Sequence, residues 1–171
     1  MPAITFEMIW KNYPSTDPCV NPKTSAVPSG YENQCAIRVG YALERSGLSF
    51  HSFKGGRCPY AGKRSGLVAS AQELANWLGP TRFEGCPSPE RYKGTEAFEK
   101  MSGRTGIVFI ADYWRRTTDK KGVRSGDHID LWNGSRMTST SSWFRVHWGI
   151  SWDGLWSDFR LSPRVLFWHI Q

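Results

Sequence analysis

The sequence is short of cysteine and lacks any paired cysteine motif. Its four Cys (Cys19, Cys35, Cys58, Cys86) form no CxxC and no zinc-type spacing, so no structural zinc site is expected. No apolar run approaches the ~18 residues that a membrane-spanning helix needs. The first residues, MPAITFEMIWKNYP, lack a basic segment followed by a long apolar one. That is not the pattern of a secretory signal. The expectation is a chain made in the cytoplasm that leaves the cell, if at all, by another route. Zinc-finger and RNP patterns are missing, and the basic residues are scattered, with tight pairs no longer than Lys63–Arg64, Arg115–Arg116 and Lys120–Lys121. The net charge of +7 therefore reads as attraction to polyanions, anionic cell-wall polymer included, and not as a nucleic-acid signature. There is no internal repeat and no low-complexity tract. No ligand cluster calls for a metal or a cofactor.

What is present is an ordinary globular composition, 39% hydrophobic and 22% charged over 171 residues. That length suits one domain, 1–171. Aromatic residues make up 14%, with nine Trp, which points to a thick aromatic core, a binding groove, or both.

Helical signals come first along the chain. Residues 4–12 suggest a short helix with Phe6, Ile9 and Trp10 on one side. Residues 13–30 hold Pro14, Pro18, Pro22, Pro28 and Gly30 and read as irregular. Residues 33–46 carry Ala36, Val39, Gly40 and Leu43 at near-helical spacing, with Gly47 just past the end. A Gly- and Lys-rich loop covers 48–64. Leu67, Ala71, Leu74, Ala75 and Leu78 predict a helix over 65–78, capped by Ser65 or Ser70 and stopped at Gly79–Pro80. Residues 81–94 read as loop, and Thr95–Met101 as a short helix. Strand signals follow. Gly106–Trp114 is a buried strand by its β-branched content. Two strand-like runs in GDHIDLWNGSRMT, residues 126–138, flank Asn133–Gly134, a strong hairpin signal. Arg164–Ile170 is a last strand, and 143–160 is Trp-rich and ambiguous. Helices first and an antiparallel sheet second predict an α+β domain.

Cys35 stands where the second helix begins. A helix N-terminus carries partial positive charge and unpaired N–H groups. Both favour thiolate, the nucleophilic form of the thiol. The plain alternative is a small buried apolar residue. A nucleophilic thiol needs a base within hydrogen-bond reach. Of the four histidines, His51 lies in a loop, His147 among aromatics, and His169 in the terminal strand. His128 opens a strand just after Gly126, on one face with Asp130, and is the candidate base. A two-residue Asn133–Gly134 turn would set Trp132 opposite Ser135 and His128 opposite Ser139. Ser139 and Asp130 are both candidates to orient the imidazole, against plain readings as a surface serine and a solvated aspartate. Asn33, two residues before the thiol, is either a helix cap or an amide that joins the Cys35 N–H at an oxyanion. With Cys35 kept as a thiol, one disulfide at most remains. Cys58 and Cys86, flanking the helix at 65–78, are a candidate pair in an oxidising compartment.

The frame NQCAIRVGYAL, followed far downstream by GDHIDLWNGSRM and an aromatic C-terminal strand, resembles the type VI secretion amidase effectors of the fourth family. These are papain-like cysteine peptidases of the NlpC type. The resemblance rests on Asn33, Cys35, Ile37, Arg38, Tyr41 and Leu43, and on His128, Leu131, Trp132, Asn133, Gly134 and Ser135. It extends from about Tyr31 to Ile170. It implies a papain-like α+β fold and cleavage of the D-glutamyl–meso-diaminopimelate amide in the peptide stem of peptidoglycan. It also implies delivery into a neighbouring bacterium's periplasm and a cognate immunity protein that plugs the groove. It implies neither a nucleic-acid partner nor membrane insertion. The sequence departs from the family at one point. The family's third catalytic residue, an aspartate after the hairpin, corresponds to Ser139, and the cysteine pair that brackets it is replaced by Met137 and Ser141. Asp130, less strongly Asn133, or a Cys35–His128 dyad then has to complete the site. Two other readings stay open: a non-enzymatic, Trp-rich wall- or glycan-binding module, and a papain-like deamidase or peptidase acting on a host protein.

Overall fold

The computed structural model describes residues 3–79, 82–114, 120, 125–138 and 160–171. Their backbone falls into two compact units, residues 1–88 with 170–171, and residues 89–169. The architecture is α+β, with the helix that carries Cys35 in the first unit and an antiparallel sheet in the second.

In the first unit, α1 (Phe6–Lys11) starts at Thr5, whose hydroxyl accepts from the Met8 N–H at 3.3 Å. It buries Phe6 and Ile9 and touches α2 (Cys35–Arg45). The apolar stripe of α2 is as its spacing predicts, with Ala36, Ile37, Val39, Gly40, Ala42 and Leu43 all buried. Gly40 is required there by contact. A Cβ on it would stand 1.9 Å from the Gly66 carbonyl oxygen, so the chain at Gly66 can lie directly on the helix backbone. Gly47 ends the helix with φ +103°, a conformation that suits glycine.

The helix expected over 65–78 begins later. It is α3 (Ala71–Leu78), capped by Ser70, whose Oγ accepts from the Glu73 N–H at 3.2 Å. The residues before it are drawn into extended pairing. Val68 bridges Arg57, and the Cys58 N–H donates to the Leu67 carbonyl at 2.9 Å. The Arg57 guanidinium fixes this loop by donating to the carbonyls of Phe50, Phe53 and Ser65. Leu67 thus fits a helical period by coincidence, because tertiary pairing outweighs weak local preference.

The second unit is a four-stranded sheet in the order β1-β4-β2-β3, antiparallel throughout. Its strands are β1 (Glu90–Tyr92), β2 (Gly106–Trp114), β3 (Gly126–Trp132) and β4 (Arg164–His169), and α4 (Gly94–Met101) packs against it. β1 lies within the stretch expected to be loop. Three residues on a sheet edge are too few to show a period. One face of the sheet buries Val108, Ile110, Trp132, Val165 and Phe167 with Ala97 and Met101 of α4. The Trp132 indole N–H donates to the Met101 carbonyl at 2.9 Å. A bulge between Ile110 and Trp114 breaks the β2–β3 ladder. There Asp112 takes φ +48° and its N–H donates to Asp127 Oδ1 at 3.1 Å.

The hairpin signal at Asn133–Gly134 marks a wider turn than predicted. Trp132 pairs with Met137, and the Asn133 N–H donates to the Arg136 carbonyl at 3.1 Å. The loop therefore has the four residues Asn133–Arg136. The expected Trp132–Ser135 pair does not form, and the count that set Ser139 opposite His128 is two residues off where it starts. Ser139, the ambiguous segment 143–160 apart from Arg160, and His147 lie outside the described residues.

Candidate functional site

Cys35 is the first residue of α2, a free thiol 9% exposed to solvent. The residue at the cap position is Gln34, not Asn33, and the Gln34 side chain makes no capping bond. Asn33 does the local work instead. Its Oδ1 accepts from the Cys35 N–H at 3.3 Å, which satisfies one of the donors that a helix start leaves open. The cap reading of Asn33 was thus one residue off, and the Cys35 N–H expected at an oxyanion is engaged by Asn33 at rest.

Gln34 is turned inward, 3% exposed. Its amide accepts from the Cys19 N–H at 2.9 Å and donates to the Cys19 carbonyl at 2.8 Å. Cys19 is in turn disulfide-bonded to Cys58. The candidate Cys58–Cys86 pair is therefore corrected. Cys86 is a free, buried thiol, and burial pushes it up to about 11. Spacing around a helix said nothing of Cys19, which the Pro-rich segment carries to Cys58. One further bond ties that segment to α2, from Arg38 to Asp17 at 2.6 Å.

In the second unit, β3 places His128 opposite Ile110 and Asp130 opposite Val108, on one face of the strand as the sequence predicts. Both side chains are closed to solvent, and His128 Nε2 stands 3.5 Å from Asp130 Oδ2. The other carboxylate oxygen, Oδ1, accepts from the Leu131 N–H at 2.8 Å and from the Thr138 hydroxyl. Asp130 is thus not the solvated strand aspartate of the plain reading. Thr138 was not foreseen. The four-residue loop sets it opposite Leu131, whose carbonyl accepts from the Thr138 N–H at 3.1 Å, and so one residue from Asp130.

Asn133, the weaker candidate for a third residue, is taken up by the turn. Its Oδ1 accepts from the N–H groups of Ser135 and Arg136 at 3.1 and 2.9 Å and from the Ser135 hydroxyl. His51 is exposed in a loop, and the His169 ring stacks on Phe167 with centroids 6.2 Å apart. Among the described residues no cluster of three or more His, Cys, Asp or Glu could hold a metal ion, and no helix is long and apolar enough to cross a membrane.

A family model described as type VI secretion system (T6SS), amidase effector protein 4 (Tae4), matches residues 31–168. Two solved structures share the fold over the whole length. The type VI effector Tae4 from Enterobacter cloacae has a TM-score of 0.61 at 15% identity, covering 100% of this chain and 98% of that one. The Tae4/Tai4 effector–immunity system from Salmonella typhimurium has a TM-score of 0.55 at 16% identity, covering 99% of each chain. No curated protein sequence matches.

Proposed function

Because the chain belongs to the type VI secretion system amidase effector 4 family, we propose that it hydrolyses the D-glutamyl–meso-diaminopimelate amide of peptidoglycan stem peptides by a thiol mechanism. The family is one of amidases, so the protein is a hydrolase. A non-enzymatic Trp-rich module falls away with that, and Trp132 and Trp168, both fully buried, serve the core. In this reading residues 1–171 act as one catalytic domain.

Cys35 is the nucleophile, His128 the base and acid, and Asp130 the residue that orients the imidazole. The thiol gives its proton to His128, and the sulfur attacks the amide carbonyl carbon. With Nε2 directed at Asp130, this exchange falls to Nδ1. The carboxylate stabilises the imidazolium that forms. The oxyanion takes the Cys35 N–H, which exchanges a long bond to a neutral amide oxygen for one to a charged acceptor. Asn33, released from that bond, turns its amide N–H to the same oxygen. The imidazolium then protonates the leaving diaminopimelate nitrogen, the C–N bond breaks, and a glutamyl thioester remains. Water, deprotonated by His128, releases the acid and restores the thiol.

The observation that carries this reading is the buried Asp130 carboxylate at His128. It supplies the charge that serine at position 139 lacks. Delivery by type VI secretion places the action in the periplasm of a target bacterium. The producing cell then needs protection, and a cognate immunity protein that covers the groove is the expected partner.

The test is mass spectrometry of products from meso-diaminopimelate-type peptidoglycan treated with wild type and with Cys35→Ser. The expected result is new D-glutamyl-terminated and diaminopimelate-terminated fragments from wild type alone. Equal cleavage by Cys35→Ser would overturn the assignment of the thiol.

A further inference from the structure

We propose that Gln34 is a positioning residue that couples the Cys19–Cys58 disulfide to the neighbouring thiol, so that Cys35 is fully active only when that disulfide is formed. The inference rests on Cys35 being the nucleophile, as proposed above.

A cap residue ordinarily spends its side chain on the N–H groups of its own helix. Gln34 does not. Its amide bonds both backbone groups of Cys19, as one strand would bond another. Both residues are closed to solvent, with Cys19 at 0% and Gln34 at 3% exposure. A buried primary amide that loses its partners leaves donor and acceptor unpaired, which is costly. Gln34 therefore follows Cys19, and Cys35 is the next residue in the chain.

What fixes Cys19 is the bond to Cys58, 39 residues away in sequence. Without it, Cys19 belongs to an irregular stretch with Pro14, Pro18, Pro22 and Pro28. Cys19 and Cys58 cluster with Ile37, in the first turn of α2. The disulfide thus meets the start of α2 twice, through the amide of Gln34 and through the side chain of Ile37. Reduction would loosen both supports at the turn that aims Cys35. A misplacement of about 1 Å at a reacting atom costs up to ~10²-fold in rate.

The arrangement separates two sulfur chemistries that a single redox state does not ordinarily serve. Cys35 has to remain a thiol, while Cys19 and Cys58 have to be joined. A cytoplasm keeps all of them reduced, and an oxidising compartment joins the close pair. Joining proceeds by exchange with a partner disulfide, such as that of a periplasmic thiol oxidant. The Cys19 and Cys58 thiols lose two protons and two electrons and form one S–S bond. The oxidant's S–S bond breaks and takes up both electrons and both protons as two thiols. The toxin would then be slow where it is made and fast where it is delivered.

The experiment compares wild type, Q34M, C19A/C58A and Cys35→Ser on a purified meso-diaminopimelate muropeptide. Two quantities are read: kcat and KM, and the rate of iodoacetamide alkylation at Cys35 by peptide mass mapping. Q34M and C19A/C58A are each expected to lower kcat by about ten- to a hundredfold with KM within about twofold. Each is also expected to change the alkylation rate at Cys35 severalfold. Unchanged kcat and unchanged alkylation in either folded variant would overturn the proposal. Q34M keeps the disulfide and removes only the amide, so it decides alone should the double variant fail to fold. Cleavage by Cys35→Ser would instead overturn the underlying assignment of the nucleophile.

Discussion

His128 Nε2 stands 3.5 Å from Asp130 Oδ2, with both side chains buried two residues apart on one face of β3. A strand sets that separation, because alternate side chains share a face. Asp130→Asn keeps the shape and removes the charge. The expected result is a fall in kcat of about 10²-fold or more, with KM within about threefold, since the carboxylate acts on the imidazolium formed during reaction. Steady-state cleavage of a defined muropeptide measures it. An Asp130→Asn enzyme within twofold of wild type would remove Asp130 from the mechanism.

Thr138 divides the work of the carboxylate. Its hydroxyl and the Leu131 N–H both go to Oδ1, which turns Oδ2 toward His128. A hydrogen bond to a charged group contributes about 1.5–3 kcal/mol, and 1.4 kcal/mol is tenfold in rate. Thr138→Val is therefore expected to lower kcat/KM by about tenfold or more, and Thr138→Ser to restore most of it. Equal activities of the Val and Ser variants would show that the hydroxyl does not hold the carboxylate.

Much of this was legible in the sequence, and what was not has physical reasons. The amphipathic stripe of α2 and the β-branched run of β2 are strong local signals, and both elements lie where they predict. The shared face of His128 and Asp130 follows from period two alone. The hairpin register did not follow, because Asn133–Gly134 suits more than one loop length. The structure uses Asn133 Oδ1 to close a four-residue loop, which sets Thr138 opposite Leu131, next to Asp130. The disulfide is not legible for a different reason. Cys19 reaches Cys58 through an irregular segment whose path no periodicity encodes. Gln34 carries no local signal, because its amide is spent on a backbone distant in sequence.

The two free thiols should differ sharply in reactivity. Burial pushes Cys86 up to about 11, against a smaller opposing pull from Arg82. At pH 7.5 only about one Cys86 in three thousand is then thiolate, the form that alkylates. Brief iodoacetamide treatment of the native protein at that pH is expected to label Cys35 and spare Cys86. Peptide mass mapping reads both sites, and labelling of Cys86 ahead of Cys35 would contradict the assignment of the reactive thiol.

The sheet edge carries a charge cluster that should make stability depend on acid. The Arg104 guanidinium bonds both oxygens of Glu90 and the Tyr92 hydroxyl and lies over the Phe167 ring, 5.2 Å from its centroid. The bond from Arg104 is the largest cause holding the Glu90 carboxyl below its ordinary value of 4.5. A carboxyl that is more acidic folded than unfolded stabilises the fold above the unfolded value. That contribution is lost as pH falls below about 4.5 and through the lower folded value. The side chains of Arg104 and Glu90 are 28% and 41% exposed, so solvent screening limits the effect to about 1 kcal/mol at most. Urea unfolding of wild type and Glu90→Gln should therefore differ at pH 7 and converge toward pH 3. All other carboxyls are common to the two proteins, so the change in the gap reports this one. A gap that stays constant between the two pH values would show that Glu90 contributes through packing and not through charge.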